Sequence, residues 1–485
     1  MELQEAHYPL PGLLPTKSVI QTLAAKILTC SPPLTTPSAD GIDVISISLR
    51  QENALDVTID SLSIGSFHAM ERGVLTVHSA GNTGLSTVRA SGNAVNGFHL
   101  NGSEFSLVQG MEVTGTCDEY SPGLCEVGCL DSSKVKGKIV VCNDVKGMNE
   151  AHRAGALGSI VSHGLVKDAS FVVPLPALLL NQTDNALLQS YIRSTKMPQA
   201  NILKSESLHD SAAPIVASFS SKGPNIIISG ILKPDITALG IDILAAYSLV
   251  ASPTDDLLDK KKSVKFSVLS RTSISCPHVA GVAAYLTSLH PDWSPSAIKS
   301  TLMTTTPPMN AKKNPAAEFG YGAGHLDPVN SANPGLVYET FKDNYIKMSC
   351  SMGYNSSKLR KMLGDNSNCP EGPKGSSKEL NYPSMTVQVE AKKPFTAKFP
   401  RTVTNVGFKN SPYKAEISKD DLVNVSMEPR ILSFNSLNEK KSFVGTISGE
   451  GLDDSKSVSV SLVWSDGTHR VQSPIVIYTS MYFNA

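Results

Sequence analysis

The sequence lacks an excess of charge of either sign, and it lacks any long apolar run. Lysine plus arginine and aspartate plus glutamate number 43 each, so the formal net charge at pH 7 is zero. A general nucleic-acid or membrane-surface binder would carry a basic excess, and a membrane span would need about 20 consecutive apolar residues. We therefore expect no nucleic-acid partner and no membrane partner. The sequence also gives no reason to expect a metal or a cofactor.

The first residues lack the features of a signal peptide. Residues 1–5 are acidic in character, and the apolar stretch 19–28 is interrupted by Gln21 and Lys26. Signal peptides begin with basic residues followed by an apolar run, so none is predicted here. The composition of the whole chain is that of a folded protein, with 41% hydrophobic and 18% charged residues. A length of 485 residues predicts two to four domains.

The cysteines point to an oxidising compartment. Four of the eight lie within residues 117–142, at Cys117, Cys125, Cys129 and Cys142. A zinc site is an alternative, but the spacing matches no common ligand pattern and no histidine lies among them, so disulfides are favoured. Cys350 and Cys369 flank a turn-rich loop, and we expect them to form a disulfide. Four N-glycosylation triplets also agree with export, and they begin at Asn101, Asn181, Asn355 and Asn424.

The chain changes character several times along its length. Residues 1–39 show no clear periodicity, whereas residues 40–102 read as strand, helix and strand, with a β-branched run at 43–49, a helical pattern at 55–72 and a second strand at 74–77. Residues 103–205 form a second, smaller α/β unit, and the strand–helix pattern returns over 206–335. Residues 336–379 resemble a connector. From 380 to 485, alternating apolar runs separated by turns predict an all-β sandwich.

The most informative stretch is residues 270–281, which read Ser-Arg-Thr-Ser-Ile-Ser-Cys-Pro-His-Val-Ala-Gly. Pro277 suits the first turn of a helix, and the small residues after it allow close packing. Ser273 is then expected just before the helix N-terminus, where free N–H groups and the helix dipole favour negative charge. Taken alone, a serine at this place is more often a simple helix cap.

This stretch resembles the block that contains the catalytic serine in plant subtilisin-like serine proteases of the cucumisin-like kind. Further blocks follow in the order typical of that family, at residues 79–82, 217–224, 232–236 and 291–299. The resemblance covers nearly all of the chain from residue 40 onward, and no family match is expected for the atypical segment 1–39. It implies an α/β fold made of an incomplete subtilisin-like parallel sheet with helices, a protease-associated α/β insert at 103–205 and a C-terminal fibronectin-III-like sandwich. It also implies export and protein or peptide substrates.

By this resemblance Ser273 is the nucleophile and Asn82 is the oxyanion-hole donor. The family takes its catalytic aspartate from a D-[ST]-G strand end and its base from an H-G-T-H block, and neither pattern occurs in the sequence. The inhibitory propeptide and a strand-bearing stretch between residues 84 and 97 are not found either. The resemblance is therefore to an N-terminally truncated member of the family.

Three positions depart from the pattern of the family. Arg50 stands where a glycine usually ends a cleft strand, Leu239 stands within the A-P-G block, and Arg271 replaces the glycine before Thr-Ser. If position 271 needs a positive φ, arginine strains the loop by about 1–3 kcal/mol.

Two hypotheses follow. In the first, the functional product is a secreted endopeptidase that forms an acyl-enzyme on Ser273 and needs sequence not present here. In the second, the chain is a non-catalytic binding protein acting through its insert and sandwich, or the product of a truncated gene model. In either case we expect residues 1–485 alone to be inactive. A different result would direct the search for a base to His78, His278 and His325, although His278 is expected to serve in packing or capping.

Overall fold

The computed structural model describes residues 94–98, 100, 104–115, 125–161, 170–180, 182–205, 213–254, 263–371 and 375–480, and the backbone of residues 44–47 and 75–78. The expected helix at 55–72 and the segment 1–39 lie outside the described residues. Among the described helices, none is both long and apolar enough to cross a lipid bilayer.

The strands of the described part are, in chain order, β1 (Val44–Ile47), β2 (Leu75–His78), β3 (Ala94–Val95), β4 (Phe105–Gln109), β5 (Ile139–Cys142), β6 (Gly158–Val161), β7 (Phe171–Val172), β8 (Ala177–Leu179), β9 (Gln199–Ala200), β10 (Ile243–Ala246), β11 (Phe266–Leu269), β12 (Leu336–Tyr338), β13 (Met385–Gln388), β14 (Phe395–Asn405), β15 (Ser411–Ile417), β16 (Asn424–Glu428), β17 (Ile431–Phe434), β18 (Lys440–Gly449), β19 (Ser457–Ser465) and β20 (Arg470–Tyr478). The α-helices are α1 (Ser132–Val135), α2 (Gly147–Arg153), α3 (Gln182–Ser194), α4 (Thr272–Leu289), α5 (Pro295–Thr304), α6 (Glu318–Tyr321), α7 (Pro328–Ser331), α8 (Lys342–Ser351) and α9 (Ser356–Leu363).

The chain divides into two compact units. One comprises residues 1–81, 222–238 and 275–484, and the other comprises residues 82–221 and 239–274. The second unit is larger than the insert predicted at 103–205, because it also takes in β10 and β11. The boundary near residue 274 falls inside helix α4, so this helix belongs to both units.

The second unit contains a five-stranded sheet in the order β8-β6-β5-β4-β9, in which only β9 runs antiparallel to its neighbour. Along β5, Ile139 and Val141 belong to one apolar cluster, whereas Val140 and Cys142 belong to another. A strand covered on both faces reads as a continuous apolar run, as parallel sheets require. The described part of the unit also contains two shorter strand pairs, with β3 parallel to β7 and β10 antiparallel to β11.

The first unit contains the parallel pair β1–β2, helix α4 from Ser275 onward, helices α5 to α9 and a β-sandwich. The sandwich has a four-stranded sheet, β12-β14-β18-β16, and a five-stranded sheet, β13-β20-β19-β15-β17. Its core includes the fully buried rings of Trp464, Tyr338 and Phe443. Strand β12 lies in the segment expected to be a connector, but it pairs with β14. Its three residues are all buried, and so short a run offers no alternation from which a strand could be predicted.

Two disulfides have both of their cysteines among the described residues. Cys350 and Cys369 are bonded with their Cα atoms 5.8 Å apart, as expected. Cys125 is bonded to Cys142, and Cys129 is also disulfide-bonded, whereas Cys117 lies outside the described residues. Because disulfide sulfurs are not thiolate ligands, the zinc alternative for this cluster is wrong. No group of three or more metal-ligating side chains occurs within the described residues.

Candidate active site

Helix α4 carries Ser273 in its first turn. The helix begins at Thr272, so Ser273 is its second residue rather than the residue before it, and its side chain is half-buried. The helix dipole is positive at this end, and the N–H of Ile274 donates to the carbonyl of Arg271 at 3.0 Å. Ser273 is therefore placed where negative charge developing beside its hydroxyl is stabilised.

Pro277 is the sixth residue of α4 and does not lie in its first turn. The expectation that Pro277 lies in the first turn was wrong, because the helix begins at Thr272, five residues before the proline. At position 277 the missing N–H is the one that would bond to the carbonyl of residue 273. The proline therefore removes the helical donor to the backbone carbonyl of Ser273.

Backbone strain in the turn before α4 lies at Asp242 and not at Arg271. Arg271 has no positive φ, so the strain expected there is absent, whereas Asp242 has φ +54°. The N–H of Arg271 donates to the carbonyl of Gly240 at 2.8 Å. The N–H of Asp242 donates to Ser270 Oγ at 2.8 Å, and Ser270 Oγ donates to Asp242 Oδ1 at 2.9 Å. The turn that precedes Ser273 is thus held against the segment that precedes β10.

The body of α4 is fixed by its apolar side. Val279, Ala283 and Leu286 recur at helical spacing and pack with Ile298 and Leu302 of α5. One turn after the start of the helix, Ser275 Oγ donates to the carbonyl of Ala238 at 3.0 Å. These apolar residues place the part of the helix from Ser275 onward in a packed core.

The histidines considered as bases have different surroundings. His278 follows Ser273 by five residues on the same helix, which is a rotation of about 140° and a rise of about 7.5 Å, so the two side chains leave the helix in different directions. His325 Nδ1 bonds to the carbonyl of Leu326 at 3.2 Å. The backbone of His78 pairs with Ile47 in the parallel pair of strands, and its side chain is not described. The expectation that His278 serves in packing or capping stays a prediction.

The block 232–236 forms a charged cluster with Tyr382. Lys233 Nζ lies 2.6 Å from Asp235 Oδ2 and donates to the Tyr382 hydroxyl at 3.2 Å, while that hydroxyl donates to Asp235 Oδ1. Lys299 Nζ lies 5.2 Å from the centre of the same ring. Burial opposes ionisation of Asp235, yet the two lysines hold its pKa below the usual value. Burial and Asp235 raise the pKa of Tyr382 well above its usual value. Lys233, Asp235 and Tyr382 are bonded to one another, which indicates a structural role for this cluster.

Asn82, the expected oxyanion donor, lies outside the described residues, as do Asn101 and Asn181. The convergence of Asn82 and Ser273 is therefore not tested and stays a prediction. The other two triplets begin at exposed side chains. Asn355 caps α9 by accepting from the N–H of Lys358 at 2.9 Å, and Asn424 is the first residue of β16.

Sequence reasoning missed Asp242 and Tyr382. For Asp242 a local signal exists, because aspartate after Gly240 and Ile241 is one of the few residues that tolerates the left-handed conformation in a turn. For Tyr382 there is no local signal, since its partners Lys233 and Asp235 are distant along the chain.

Comparison with known proteins gives a consistent picture. The sequence model of the subtilase family matches residues 12–324, and that of the fibronectin type-III domain matches residues 379–477. The first match begins inside the segment 1–39, for which no family match was expected, and so extends the resemblance. Subtilisin-like protease SBT4.3 of Arabidopsis thaliana is 49% identical over 91% of this chain and 65% of its own length. SBT4.4 of the same plant is 46% identical over 91% of this chain and 64% of its length.

The chain thus spans about 65% of the length of these curated relatives. Among solved structures, a psychrophilic subtilisin-like protease from an Antarctic Pseudoalteromonas species matches with 13% identity and a TM-score of 0.26, over 62% of this chain and 72% of that chain. A TM-score this low carries no conclusion about the fold.

Proposed function

Because the chain belongs to the subtilase family and carries a subtilisin-like α/β fold with a C-terminal fibronectin type III domain, we propose that it is the nucleophile-bearing part of a serine endopeptidase. Ser273 attacks the peptide carbonyl and forms the acyl-enzyme, and Asn82 donates to the oxyanion. The observation that carries this proposal is the position of Ser273 in the first turn of α4, within the serine block of the family. Substrates are proteins or peptides, and the place of action is extracellular, as for the family.

The chemistry requires more than the serine. The hydroxyl of a serine is a weak nucleophile until a base accepts its proton, and an aspartate must hold that base in the correct orientation. The positive end of the α4 dipole and the amide of Asn82 stabilise the oxyanion but remove no proton. Ser273 therefore contributes to hydrolysis only together with a histidine and an aspartate.

We infer that residues 1–485 alone hydrolyse no peptide. The D-[ST]-G and H-G-T-H blocks that supply the aspartate and the histidine in this family do not occur in the sequence. The members of such a triad act as a unit, so the loss of the base lowers the rate on the order of a millionfold. In a subtilisin-type site, oxyanion stabilisation and substrate binding alone leave an acceleration of roughly 10³–10⁴ over the reaction in water.

The domain assignment is part of the proposal. Residues 40–102 and 206–335 supply the catalytic domain, residues 103–205 the protease-associated insert, residues 336–379 the connector and residues 380–485 the fibronectin-III-like domain. The compact α/β sheet formed by β4, β5, β6, β8 and β9 supports the insert, and the two-sheet sandwich supports the last domain.

The alternative, a binding protein that acts through its insert and sandwich, has less support. The five-stranded sheet of the sandwich is buried on both faces along β20. Ile475 and Ile477 belong to the sandwich core, whereas Val476 and Tyr478 pack with Leu232 and Phe319 from elsewhere in the same unit. The outer face of this part of the sheet is thus already covered by the chain itself and offers no surface to a partner.

Active-site labelling with a fluorophosphonate probe tests the proposal. We expect no labelling of residues 1–485, and stoichiometric labelling of a chimera that also contains the D-[ST]-G and H-G-T-H blocks of a curated relative. In that chimera Ser273→Ala should abolish labelling. Ser275→Ala is the matched control, because Ser275 lies on the same helix and its hydroxyl is bonded to Ala238, and it should retain labelling. Labelling of a properly folded chimera that survives Ser273→Ala would remove Ser273 from the mechanism.

A further inference from the structure

Asp242 is the centre of a hydrogen-bond network beside the start of α4. Its Oδ1 accepts from the N–H of Ser170 at 3.0 Å and from Ser270 Oγ at 2.9 Å. Its Oδ2 accepts from Ser170 Oγ at 2.9 Å, and its own N–H donates to Ser270 Oγ at 2.8 Å. One side chain thus joins two segments that are separated by about 100 residues along the chain.

These two segments have different roles in the same unit. Ser170 directly precedes β7, which pairs with β3 in the second unit. Ser270 directly follows β11 and lies three residues before Ser273. Strand β11 ends at Leu269, which pairs with Ile243 immediately after Asp242. Asp242 therefore lies where the strand pair β10–β11, the segment before β7 and the turn before α4 meet.

The backbone of Asp242 indicates that its conformation is imposed by these contacts. A φ of +54° costs a non-glycine residue of the order of 1–2 kcal/mol, although aspartate tolerates it better than most. Single hydrogen bonds between exposed groups contribute little, whereas several on one ionised carboxylate together outweigh that cost. A glycine would adopt this φ without strain but would make none of the side-chain bonds.

We propose that Asp242 is a positioning residue for Ser273. Asp242 ties the segment before β7 to the first turn of α4, and it thereby fixes where the serine hydroxyl lies relative to the helix N-terminus. The inference takes from the proposed function only that Ser273 is the reacting residue. Asp242 acts through Ser270 and Arg271, because the N–H of Arg271 is bonded to the carbonyl of Gly240, two residues before Asp242.

The test uses a thiol at the position of the nucleophile, since this needs no catalytic base. In the 485-residue chain carrying Ser273→Cys, the rate of alkylation of Cys at 273 by iodoacetamide is followed against pH by peptide mass spectrometry, which distinguishes it from Cys276. A thiol at a helix N-terminus has a pKa below the usual value of about 8.5. Its pH profile therefore reports its position at that N-terminus.

Two substitutions separate hydrogen bonding from charge and strain. Asp242→Gly removes the carboxylate and relieves the backbone strain, whereas Asp242→Asn also removes the charge but keeps an oxygen that accepts at the Oδ1 position. We expect Asp242→Gly to slow alkylation at pH 7 about three- to tenfold and to move the profile to higher pH, because a rise of one pKa unit removes about nine tenths of the thiolate. We expect Asp242→Asn to stay within about twofold of the parent.

Two further variants complete the design. Ser170→Ala removes only the bond to Oδ2 and should give a smaller effect in the same direction. Asn410→Ala is the matched control, because Asn410 is also an exposed polar residue with a positive φ, but it lies in the sandwich between β14 and β15. It should leave the profile unchanged.

The outcomes are decisive in both directions. Equal profiles for the parent and Asp242→Gly would refute the positioning role, and so would equal damage by glycine and asparagine, since the hydrogen bonds would then not matter. Because thiol alkylation requires no triad, such a failure is distinct from a failure of the proposed function, which appears only in the labelling of the chimera.

Discussion

A single substitution on the last strand of the sandwich tests whether the sandwich is an integral part of the unit that carries the body of α4. The ring of Tyr478 is 2% exposed and lies in one apolar cluster with Leu232, Phe319 and Val476. It meets the ring of Phe319 edge-on at 5.1 Å between centroids, and its hydroxyl donates to the carbonyl of Ser229 at 3.2 Å. Truncation to alanine removes all of these contacts.

The magnitude follows from the burial of the ring and the hydroxyl. Replacing a fully buried aromatic residue by alanine lowers the free energy of unfolding by about 3–5 kcal/mol. Loss of the hydroxyl leaves the carbonyl of Ser229 without this donor and accounts for about 1 kcal/mol. We therefore expect Tyr478→Phe to lower the free energy of unfolding by about 1 kcal/mol and Tyr478→Ala by about 4 kcal/mol. The larger change shifts a urea midpoint by on the order of 1 M.

The two tryptophans of the chain allow the effect to be located. Trp464 lies fully buried in the sandwich core, whereas Trp293 precedes α5 and stacks on His290 with the ring centroids 3.8 Å apart. Trp293→Phe leaves Trp464, in the sandwich core, as the single tryptophan probe. Trp464→Phe leaves Trp293, before α5, as the single probe. Urea unfolding of each variant is then measured with and without Tyr478→Ala.

An integrated unit and a separable module give different results. In an integrated unit both probes report the same transition, and Tyr478→Ala lowers the midpoint by the same amount at Trp293 and Trp464. If Tyr478→Ala moved the Trp464 transition alone, the sandwich would be an independent module, and the argument from the covered face of β20 would fail. Pro412→Ala is a suitable control, because Pro412 is exposed on β15 and its replacement should change neither transition by more than about 0.5 kcal/mol.

Three further predictions follow from individual contacts. Burial opposes ionisation of Asp466, yet hydrogen bonds from His469 and neighbouring N–H groups hold its pKa below the usual value. The ionised carboxylate therefore stabilises the fold above a pH of about 5, and this contribution is lost as the pH falls through about 4 and below. Asp466→Asn should lower the melting temperature at pH 7 and make the melting temperature fall less steeply in acid. Gly322 has φ +67° and a Cβ there would lie 2.4 Å from the carbonyl carbon of Asp235, so Gly322→Ala should lower the free energy of unfolding by at least about 2 kcal/mol in urea titration. On secretion from a glycosylating host, Asn424→Gln should remove one glycan by intact mass, since Asn424 is exposed at the start of a strand, and an unchanged mass would rule this site out.

The sandwich could be predicted in outline because its strands alternate. In β19 the residues Val458, Val460 and Leu462 face the core while the serines between them do not, which is the period of two that the sequence displays. β20 does not alternate in burial, because Val476 and Tyr478 are covered by another part of the chain. That covering depends on contacts that are distant in sequence, and no local pattern reports it.

The serine block shows the same division between local and distant information. The existence of a tightly packed helix after Ser273 followed from the small residues of the block, and the Cys350–Cys369 bond followed from the spacing of its cysteines. The first residue of the helix did not follow, because Pro277 is compatible with more than one position. The strain at Asp242 could not be assigned either, since it depends on Ser170 and Ser270 meeting in space.

The connection from the serine helix to the sandwich runs through α5 and β12. Helix α4 packs against α5 through Leu286 and Ile298. On the other side of α5, Ser300 Oγ accepts from the N–H of Tyr338 at 2.9 Å, and the Tyr338 hydroxyl is bonded to Ser473 Oγ of β20 at 3.0 Å. Each step is a buried contact, so displacement at one end leaves a cavity or an unpaired polar group at the next. Through the short strand β12, this continuity gives the sandwich a direct part in holding the body of the helix that carries Ser273.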